Sequence, residues 1–326
     1  MSFVRELGRK VRDGAEATRE DALRLYSEPL EEVCDEADAI RRERCGDAFD
    51  MCGIVNAKCG RCSENCRFCV QSRHNHTNIT PYPMRAVEEL VEAGERDAAD
   101  GALRFSFVTS GRKLTSGDID VLCAATRELK AKTNLEICVS VGLLDRDEFA
   151  RLRDAGVQRV HNNLETSPRY FPAICTTHTI DEKIRALKDA RDVGMRLCSG
   201  GLFGIGETPG DRIDLALTLR ELGVKSVPIN VYDAFPGVPM SEAGLAPLTT
   251  DDARRIVAVF RFLLPDAFLR LAGGRRLLKN LGRDCFLSGA NATISGSYLT
   301  TAGANMASDA AAIRALGYEI KNLDNF

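Results

Sequence analysis

Short apolar runs alternate with longer amphipathic stretches from about Leu103 to the end of the chain. Runs rich in valine, isoleucine and leucine predict strands, and the stretches between them repeat apolar residues at helical spacing. This alternation is typical of βα units and therefore of a parallel sheet. The predicted strands are Gly53–Asn56, Arg104–Thr109, Leu135–Val141, Gln158–Asn163, Arg196–Phe203, Ser226–Val231, Ala267–Ala272 and Cys285–Ser288.

The predicted helices lie between these strands. About eight βα units favour a closed (β/α)8 TIM barrel over an open doubly wound sheet. Residues 1–45 are predicted to be an N-terminal helical extension, and residues 46–326 the barrel domain. The predicted helices are Arg85–Ala99, Ile119–Lys130, Arg146–Ala155, Ile180–Val193, Pro209–Leu222, Thr250–Leu264, Arg275–Leu281 and Ala307–Leu316.

The composition is that of a globular protein. The 326 residues include 44% hydrophobic and 28% charged residues and no tryptophan, and the net charge of −3 gives no bias toward nucleic acid. The N-terminus has no apolar core of a signal peptide, and no segment is apolar over the length of a bilayer. We therefore expect a cytoplasmic protein with neither a nucleic-acid nor a membrane partner. Twelve cysteines in a reducing compartment favour metal binding over disulfides.

Three cysteines, Cys62, Cys66 and Cys69, follow the first predicted strand in a Cys-x3-Cys-x2-Cys run. A four-iron cluster bound only by cysteine needs four thiolates, so three leave one iron open to a small molecule. Zinc is the alternative, but a structural zinc site normally pairs two Cys-x-x-Cys knuckles, and no second such knuckle occurs. The spacing is that of the radical S-adenosylmethionine (SAM) enzymes, and it predicts a 4Fe–4S cluster that binds SAM.

Four polar residues lie inside predicted strands: Ser106, Cys138, Cys198 and Arg270. For the two cysteines alone, core packing is the favoured interpretation, because free cysteine is commonly buried. A buried arginine, however, needs an anion. Since no carboxylate is adjacent to Arg270 in sequence, its partner is either an internal anionic ligand or cluster, or an acid on a neighbouring strand.

The end of the fourth predicted strand and the stretch after the fifth are also rich in polar residues and glycine. Asn162 to Ser167 offers amides and a carboxylate suited to ribose hydroxyls or a ureido group, with ordinary turn formation as the alternative. The glycines from Gly200 to Gly210 match neither a Rossmann motif nor a P-loop, and we expect them to admit a close ligand. The four histidines form no i,i+4 metal pair.

The motifs together resemble the biotin synthase family of the radical SAM superfamily, from Cys52 to Thr301. The resemblance implies a SAM-binding TIM barrel that inserts sulfur into dethiobiotin, with the sulfur taken from an auxiliary iron–sulfur cluster of uncertain type. The matching blocks are Cys62–Ser72, Asn163–Pro168, Thr176–Thr179, Cys198–Gly201, Gly204–Glu207, Ser226–Asn230, Arg270–Leu271, Ser288–Asn291 and Leu299–Thr301.

The resemblance also implies roles for single residues. Cys62, Cys66 and Cys69 would hold the cluster that binds SAM, and Phe68 would pack on the adenine. The other residues implied at the SAM site are Asn163, Glu165 and Lys183. The residues implied to bind dethiobiotin are Asn163, Asn230, Thr300 and Thr301. The implied auxiliary-cluster ligands are Cys138, Cys198 and Arg270, and Arg270 is placed with the cysteine triad among the catalytic residues.

Three positions depart from the usual pattern of the family. Ser106 stands where a further cysteine ligand is usual, and Cys52, ten residues ahead of the triad, could replace that ligand. This resembles the branch of the family associated with anaerobes, so we expect Cys52, Cys138 and Cys198 to bind a larger auxiliary cluster. Lys183 and His161 replace an arginine and an asparagine.

The alternatives are a related radical SAM enzyme, such as a hydrogenase-maturation or methylornithine-synthase-like protein, and a noncatalytic iron–sulfur or zinc scaffold. The three internal residues Cys138, Cys198 and Arg270 argue against the related enzymes, because an isomerase needs no internal sulfur source. The family resemblance further implies a homodimer and an electron donor of the flavodoxin or ferredoxin type.

Overall fold

The computed structural model describes residues 1–296 and 305–321, and these form a parallel β-barrel surrounded by helices. The strands are β1 (Ala48–Lys58), β2 (Arg104–Thr109), β3 (Glu136–Ser140), β4 (Arg159–His161), β5 (Arg196–Cys198), β6 (Gly201–Phe203), β7 (Ser226–Val231), β8 (Phe268–Leu271), β9 (Ala292–Ile294) and β10 (Glu319–Ile320).

Three helices precede β1, and the others follow strands of the barrel. They are α1 (Phe3–Arg12), α2 (Arg19–Leu25), α3 (Leu30–Cys45), α4 (Val87–Ala99), α5 (Ser116–Lys132), α6 (Arg146–Asp154), α7 (Phe171–Ile174), α8 (Ile180–Asp192), α9 (Pro209–Glu221), α10 (Thr250–Leu263) and α11 (Met306–Ala315). Three 3-10 segments occupy Pro239–Glu242, Arg275–Leu277 and Lys279–Ser288.

The barrel is closed. Its parallel strands follow the order β1, β2, β3, β4, β5 with β6, β7, β8 and β9, and β9 pairs with β1. Only Ser199 and Gly200 separate β5 from β6, so this pair fills one of eight strand positions. The predicted (β/α)8 TIM barrel is confirmed. β10 pairs with the start of β1.

The glycine between β5 and β6 lies very close to a neighbouring strand. A Cβ atom on Gly200 would lie 1.9 Å from the carbonyl oxygen of Pro228 in β7. Any side chain at this position would therefore push two strands apart. This close approach explains the glycine that the sequence had suggested was there to admit a ligand.

Apolar side chains fill the layer between the barrel and its helices. Phe105, Phe107, Ile137 and Val139 are fully buried, and each such side chain contributes roughly 1.5–3 kcal/mol. Successive side chains of a strand point to opposite faces, so the residues between them face the interior of the barrel. In most TIM barrels that interior is filled with branched apolar side chains. Here it contains arginine, cysteine and histidine, which is why it calls for a functional explanation.

The loops that enter the helices are fixed by capping boxes. In six helices the side chain of the N-cap threonine or aspartate accepts a hydrogen bond from the backbone N–H three residues later. The acidic side chain of that later residue accepts from the backbone N–H of the N-cap residue. These helices are α2, α5, α6, α8, α9 and α10. Each cap contributes about 0.5–2 kcal/mol. Most of these helices begin after the carboxyl ends of barrel strands, where active sites of this fold lie.

Two predicted elements near the C-terminus were wrong. Cys285–Ser288 belongs to a 3-10 helix, and the last barrel strand is Ala292–Ile294. A short buried apolar run around Cys285 and Phe286 is consistent with either element, so periodicity could not separate them. The predicted helix Arg275–Leu281 is only a 3-10 turn, because Asn280 and Leu281 take positive φ.

The three N-terminal helices cover one side of the barrel. α1 packs on α3, α3 packs on α10, and α2 packs on α9. The proposed division between residues 1–45 and 46–326 falls between α3 and β1.

Candidate functional site

The cysteine loop follows β1 at the carboxyl end of the barrel and is ordered by backbone hydrogen bonds. Cys62 N–H donates to Gln71 O at 2.9 Å, and the Asn75 amide donates to the carbonyls of Cys66 and Cys69 at 3.1 and 2.7 Å. The side chains of Cys62, Cys66 and Cys69 are half-buried. Their thiols are therefore held at the surface of the loop by its own backbone.

A second loop clamps this one through Asn65. The Asn65 side-chain oxygen accepts from the backbone N–H groups of Thr176 and Thr177 at 2.9 and 3.2 Å, and its amide donates to Thr176 Oγ1 at 2.6 Å. In return, Asn65 N–H donates to Thr177 Oγ1 at 3.0 Å. The two loops thus form one unit at the rim.

The clamp places Cys175 beside the triad. Its Sγ lies 3.7 Å from Sγ of Cys66 and 3.3 Å from Nδ1 of His178. His178 Nδ1 also contacts Glu64 Oε2 at 2.6 Å, and both of these side chains are buried. The hydrogen bond with Cys66, helped by His178 and Thr177, holds the pKa of Cys175 well below its ordinary value.

A cavity of about 310 Å³ occupies the barrel interior. Cys52 on β1, Cys138 on β3 and Cys198 on β5 all line it, together with Ser106 on β2 and Arg270 on β8. The strand register explains this arrangement, because Ser106 lies opposite Cys138 and the strands alternate their side chains between the two faces. Cysteines far apart in sequence therefore face one space.

Buried positive charge surrounds the base of this cavity. Asp50 on β1 is fully buried, and its Oδ2 lies 3.0 Å from Arg104 Nη2, 3.0 Å from Arg270 Nη2 and 3.7 Å from Arg159 Nη1. Burial alone would raise the pKa of Asp50, but the three guanidinium groups hold it below its ordinary value. Glu136 also pairs with Arg104. Arg159 and Arg270 still share Asp50 as their acidic partner among the described residues.

This charge pattern answers the question raised by Arg270. The acid on another strand exists, and Arg270 Nη1 also donates to Thr293 O at 2.9 Å. Within the described residues, however, Nε and Nη1 of Arg159 have no hydrogen-bond acceptor, and Nη2 of Arg270 has only its ion pair with Asp50, which lacks hydrogen-bond geometry. Buried cations that share a single carboxylate are incompletely compensated, so the cavity suits an anionic group.

Cys198 has the most favourable surroundings for a thiolate in the cavity. Burial opposes ionisation, but the contact with His161 Nδ1 at 3.3 Å and the nearby charges of Arg270 and Arg159 lower the pKa of Cys198 to about 6. Burial instead raises the pKa of Cys52 and of Cys138. Metal ligation needs thiolates, and the charged base of the cavity favours them.

One of the predicted SAM-site residues lines the cavity, and the other three, Glu165, Lys183 and Phe68, are not among the residues that line it. Asn163 lines the cavity and accepts from Gly200 N–H at 2.9 Å. Glu165 takes a left-handed backbone conformation with φ of 71°, and burial raises the pKa of its carboxyl group against the charge of Lys183. Lys183 Nζ donates to Asn162 Oδ1 at 2.9 Å. Phe68 packs partly buried beside the triad.

The predicted substrate residues are only partly described. Asn230 lines the cavity, donates to Gly201 O and accepts from Gly273 N–H, each at 2.9 Å. Its amide is thus fixed between β6 and the end of β8. Thr300 and Thr301 lie outside the described residues.

Two family models match the chain. The radical SAM superfamily matches residues 58–239, and the biotin and thiamin synthesis associated domain matches residues 228–319. Biotin synthase 2 of Corynebacterium diphtheriae is 50% identical over 98% of this chain and 97% of its own length. The biotin synthase of Brachyspira hyodysenteriae is 49% identical over 97% of this chain and 94% of its own. The chain belongs to the biotin synthase family.

Solved structures share the fold of this biotin synthase family member. A methylornithine synthase superposes with a TM-score of 0.84 at 19% identity over 97% of both chains. The FeFe-hydrogenase maturase HydG from Carboxydothermus hydrogenoformans superposes with a TM-score of 0.80 at 16% identity, over 97% of this chain and 78% of its own. At identities this low, the superpositions establish the barrel fold only, and the reaction is inferred from the more similar relatives.

Family membership implies two iron–sulfur clusters, one of them a 4Fe–4S cluster that binds SAM. The residues fit both. The triad thiols are half-buried on an ordered loop, and the cavity offers three cysteines beside an excess of guanidinium groups. No described helix is both long and apolar enough to cross a bilayer.

The sequence analysis missed Asp50, Arg104, Arg159 and Cys175. Asp50 lay outside the predicted first strand because its charge interrupts the apolar run, although Asp50 and Cys52 share a strand face. Arg104 and Arg159 stood inside or at the start of predicted strands, as Arg270 did. The spacing Cys175-x-x-His178 is also typical of metal ligands, but the sequence had been searched only for Cys-x-x-Cys pairs.

Proposed function

We propose that this chain converts dethiobiotin into biotin by inserting sulfur in a SAM-dependent radical reaction. The observation that carries the proposal is the barrel cavity, in which three cysteines and two incompletely paired arginines meet below the cysteine loop. A radical SAM isomerase has no use for such a cavity, because its reaction consumes no sulfur.

On the SAM side, we assign Cys62, Cys66 and Cys69 as ligands of the 4Fe–4S cluster. When bound, the two clusters supply a 5'-deoxyadenosyl radical from SAM and a source of sulfur. Phe68 would cover the adenine, and the fixed carboxyl group of Glu165 would accept from ribose hydroxyl groups. Lys183 would hold Asn162 at the strand end, and its charge would favour the ionised form of Glu165.

On the substrate side, Asn163 and Asn230 hold polar atoms at the cavity wall. Both side-chain oxygens accept from backbone N–H groups, which turns each amide group in a fixed direction. An amide held in this way suits the ureido group of dethiobiotin, which both donates and accepts hydrogen bonds. We also propose Thr300 and Thr301 as contacts to the substrate.

At the base of the cavity, we assign Cys52, Cys138 and Cys198 as auxiliary-cluster ligands, with Arg270 beside them. Asp50 holds Arg270 and Arg104 in place and cancels part of their charge. The remaining positive charge would stabilise an anionic cluster and its thiolates. Ser106 sits opposite Cys138 and leaves room where the family usually has a further thiol.

The remaining expectations concern the surroundings of the enzyme. We keep as proposals a cytoplasmic location, a homodimer, and a one-electron donor of the flavodoxin or ferredoxin type. The half-buried cysteine loop at the rim is compatible with electron transfer from an external protein.

The test is an anaerobic assay of the full chain reconstituted with iron and sulfide, with SAM, a reductant and dethiobiotin. Biotin and 5'-deoxyadenosine are measured together by mass spectrometry. We expect both. Formation of 5'-deoxyadenosine without biotin would overturn the substrate assignment and leave the radical chemistry standing.

A further inference from the structure

A second group of metal-binding side chains lies beside the cysteine loop and shares Cys66 with it, whereas its other two members, Cys175 and His178, have no part in the proposed reaction. Cys66, Cys175 and His178 place their ligand atoms within 4.8 Å of one another. Among residues 1–296 and 305–321, no other three cysteine, histidine or acidic side chains were found to converge this closely. The triad cysteines themselves do not form such a group, as expected if each binds a different iron.

The distances in this group match those around a single ion. With metal–sulfur bonds of about 2.3 Å, two thiolates of a tetrahedral site lie about 3.8 Å apart. The Sγ atoms of Cys66 and Cys175 are separated by 3.7 Å. A thiolate and an imidazole nitrogen on one ion lie about 3.5 Å apart. Sγ of Cys175 is 3.3 Å from Nδ1 and 3.9 Å from Nε2 of His178.

Glu64 orients the histidine for such a role. Its Oε2 contacts Nδ1 of His178 at 2.6 Å, and Arg112 holds the same oxygen at 3.2 Å. When Nδ1 donates to Glu64, Nε2 is the nitrogen left to bind an ion, and it lies 3.9 Å from Sγ of Cys175. A carboxylate behind a metal-binding histidine is the usual outer partner of such sites.

We propose that, in the cluster-free chain, Cys66, Cys175 and His178 bind one divalent first-row transition ion. Two thiolates and an imidazole select iron, cobalt or zinc over magnesium or calcium. The site shares Cys66 with the 4Fe–4S cluster, so ion and cluster exclude each other. Only this exclusion rests on the proposed function, through the assignment of Cys66.

The site is sheltered but open on one side. Cys175 and His178 are 3% and 7% exposed, whereas Cys66 is half-buried. An ion would enter past Cys66, and the fourth position would be left to water or to Glu64. The contrasting view is a plain hydrogen-bond network, in which Cys175 donates to Asn65 and binds no metal.

The test is a cobalt titration of the reduced, cluster-free full chain under anaerobic conditions. We expect one Co²⁺ per chain, with thiolate charge-transfer absorption and the strong visible bands of tetrahedral cobalt. X-ray absorption at the cobalt edge should show two sulfur ligands on the ion, and this measurement uses the unchanged chain, so it does not depend on whether a variant folds. Absence of these bands, or a count of three sulfurs, would overturn the proposal.

Matched variants locate the ion. Cys175→Ser and His178→Gln should weaken cobalt binding by more than about tenfold. Cys62→Ser and Cys69→Ser remove the other triad thiols and should bind cobalt as the unchanged chain does. If the second pair weakens binding as much as the first, the ion lies on the triad and the proposal fails.

A competition experiment tests the exclusion separately. Zinc loaded before reconstitution should slow the appearance of cluster absorption in the unchanged chain and have little effect in Cys175→Ser. Equal slowing in both proteins would contradict a shared site. Because these readings are optical, they stand or fall independently of whether biotin is formed.

Discussion

The cysteine loop at the rim and the cavity inside the barrel place thiols for metal binding in opposite ways. In the loop, Cys62, Cys66 and Cys69 lie within eight residues of one another and are held by backbone hydrogen bonds. In the cavity, Cys52, Cys138 and Cys198 come from three strands and are held by barrel closure. The loop is half-exposed, whereas the cavity is buried and positively charged.

The difference matches the two tasks that are proposed. A site that must admit SAM and receive electrons benefits from a position at the rim. A group that is to be consumed in the reaction benefits from a dry cavity below the substrate, where water and oxidants are excluded. Charge makes the second site selective, because guanidinium groups at its base favour an anion over a single divalent ion.

The largest expected effect separates the two sites by product. Cys69→Ser should reduce 5'-deoxyadenosine to background, because the rim cluster loses a ligand. Cys138→Ser should abolish biotin while 5'-deoxyadenosine still forms. Both products are measured in one anaerobic assay. Cys123→Ser, a change on α5 away from both sites, is the control and should retain both products.

Removing the charge of Asp50 should destabilise the barrel cavity and leave the cysteine loop unchanged. Asp50→Asn leaves the guanidinium groups without their shared carboxylate, and we expect a loss of about 3–5 kcal/mol in unfolding free energy. Denaturant unfolding of the cluster-free protein measures this, with exposed Asp35→Asn on α3 as the control. A loss below about 1 kcal/mol would contradict the charge account.

The same ion pairs set the pH dependence of stability. The pKa of Asp50 is held below its ordinary value, so its contribution is complete at neutral pH. It is lost progressively as the pH falls from the ordinary carboxyl pKa down through the lower folded-state pKa. The difference in unfolding free energy between Asp50→Asn and the unchanged chain should therefore be constant near neutrality and shrink in acid.

Thiol reactivity should differ within the cavity itself. In the cluster-free chain, the pKa of Cys198 is lowered to about 6, so alkylation by a small reagent should be half-maximal near that pH. Cys138, whose pKa burial raises, should react only in alkaline solution. Peptide mapping by mass spectrometry follows both residues in one sample. His161→Asn should move the midpoint of Cys198 upward, and an unchanged midpoint would exclude His161 as the cause.

The smallest expected effect concerns the clamp of the cysteine loop. Asn65→Ala removes the acceptor of the Thr176 and Thr177 amides, at a cost of about 1–3 kcal/mol locally. Hydrogen exchange should speed up at these two amides and stay unchanged at Ile137 and Val139 in β3. Asn134→Ala, an exposed loop change, is the control. Faster exchange in β3 would mean that loop and barrel are not independent.

The sequence predicted the contiguous parts of the molecule and missed what only strand register brings together. The triad could be identified because its spacing is local, and β2 and β7 were predicted with their observed bounds because apolar residues recur at every second position along most of each strand. Asp50 could not be paired with Arg270, since 220 residues separate them and closure of the barrel through β9 makes the contact. The strand predicted at Cys285–Ser288 was wrong because a short apolar run has no periodicity that separates a strand from a helix.

The central claim is that sulfur stored in the barrel cavity enters the product. The most direct measurement reconstitutes the full chain with isotopically labelled sulfide, removes the excess, and runs a single turnover with dethiobiotin in unlabelled buffer. The account predicts that the biotin carries the label in the unchanged chain and that Cys138→Ser forms 5'-deoxyadenosine but no labelled biotin. Unlabelled biotin from the unchanged chain, or labelled biotin from Cys138→Ser at the same yield, would contradict it.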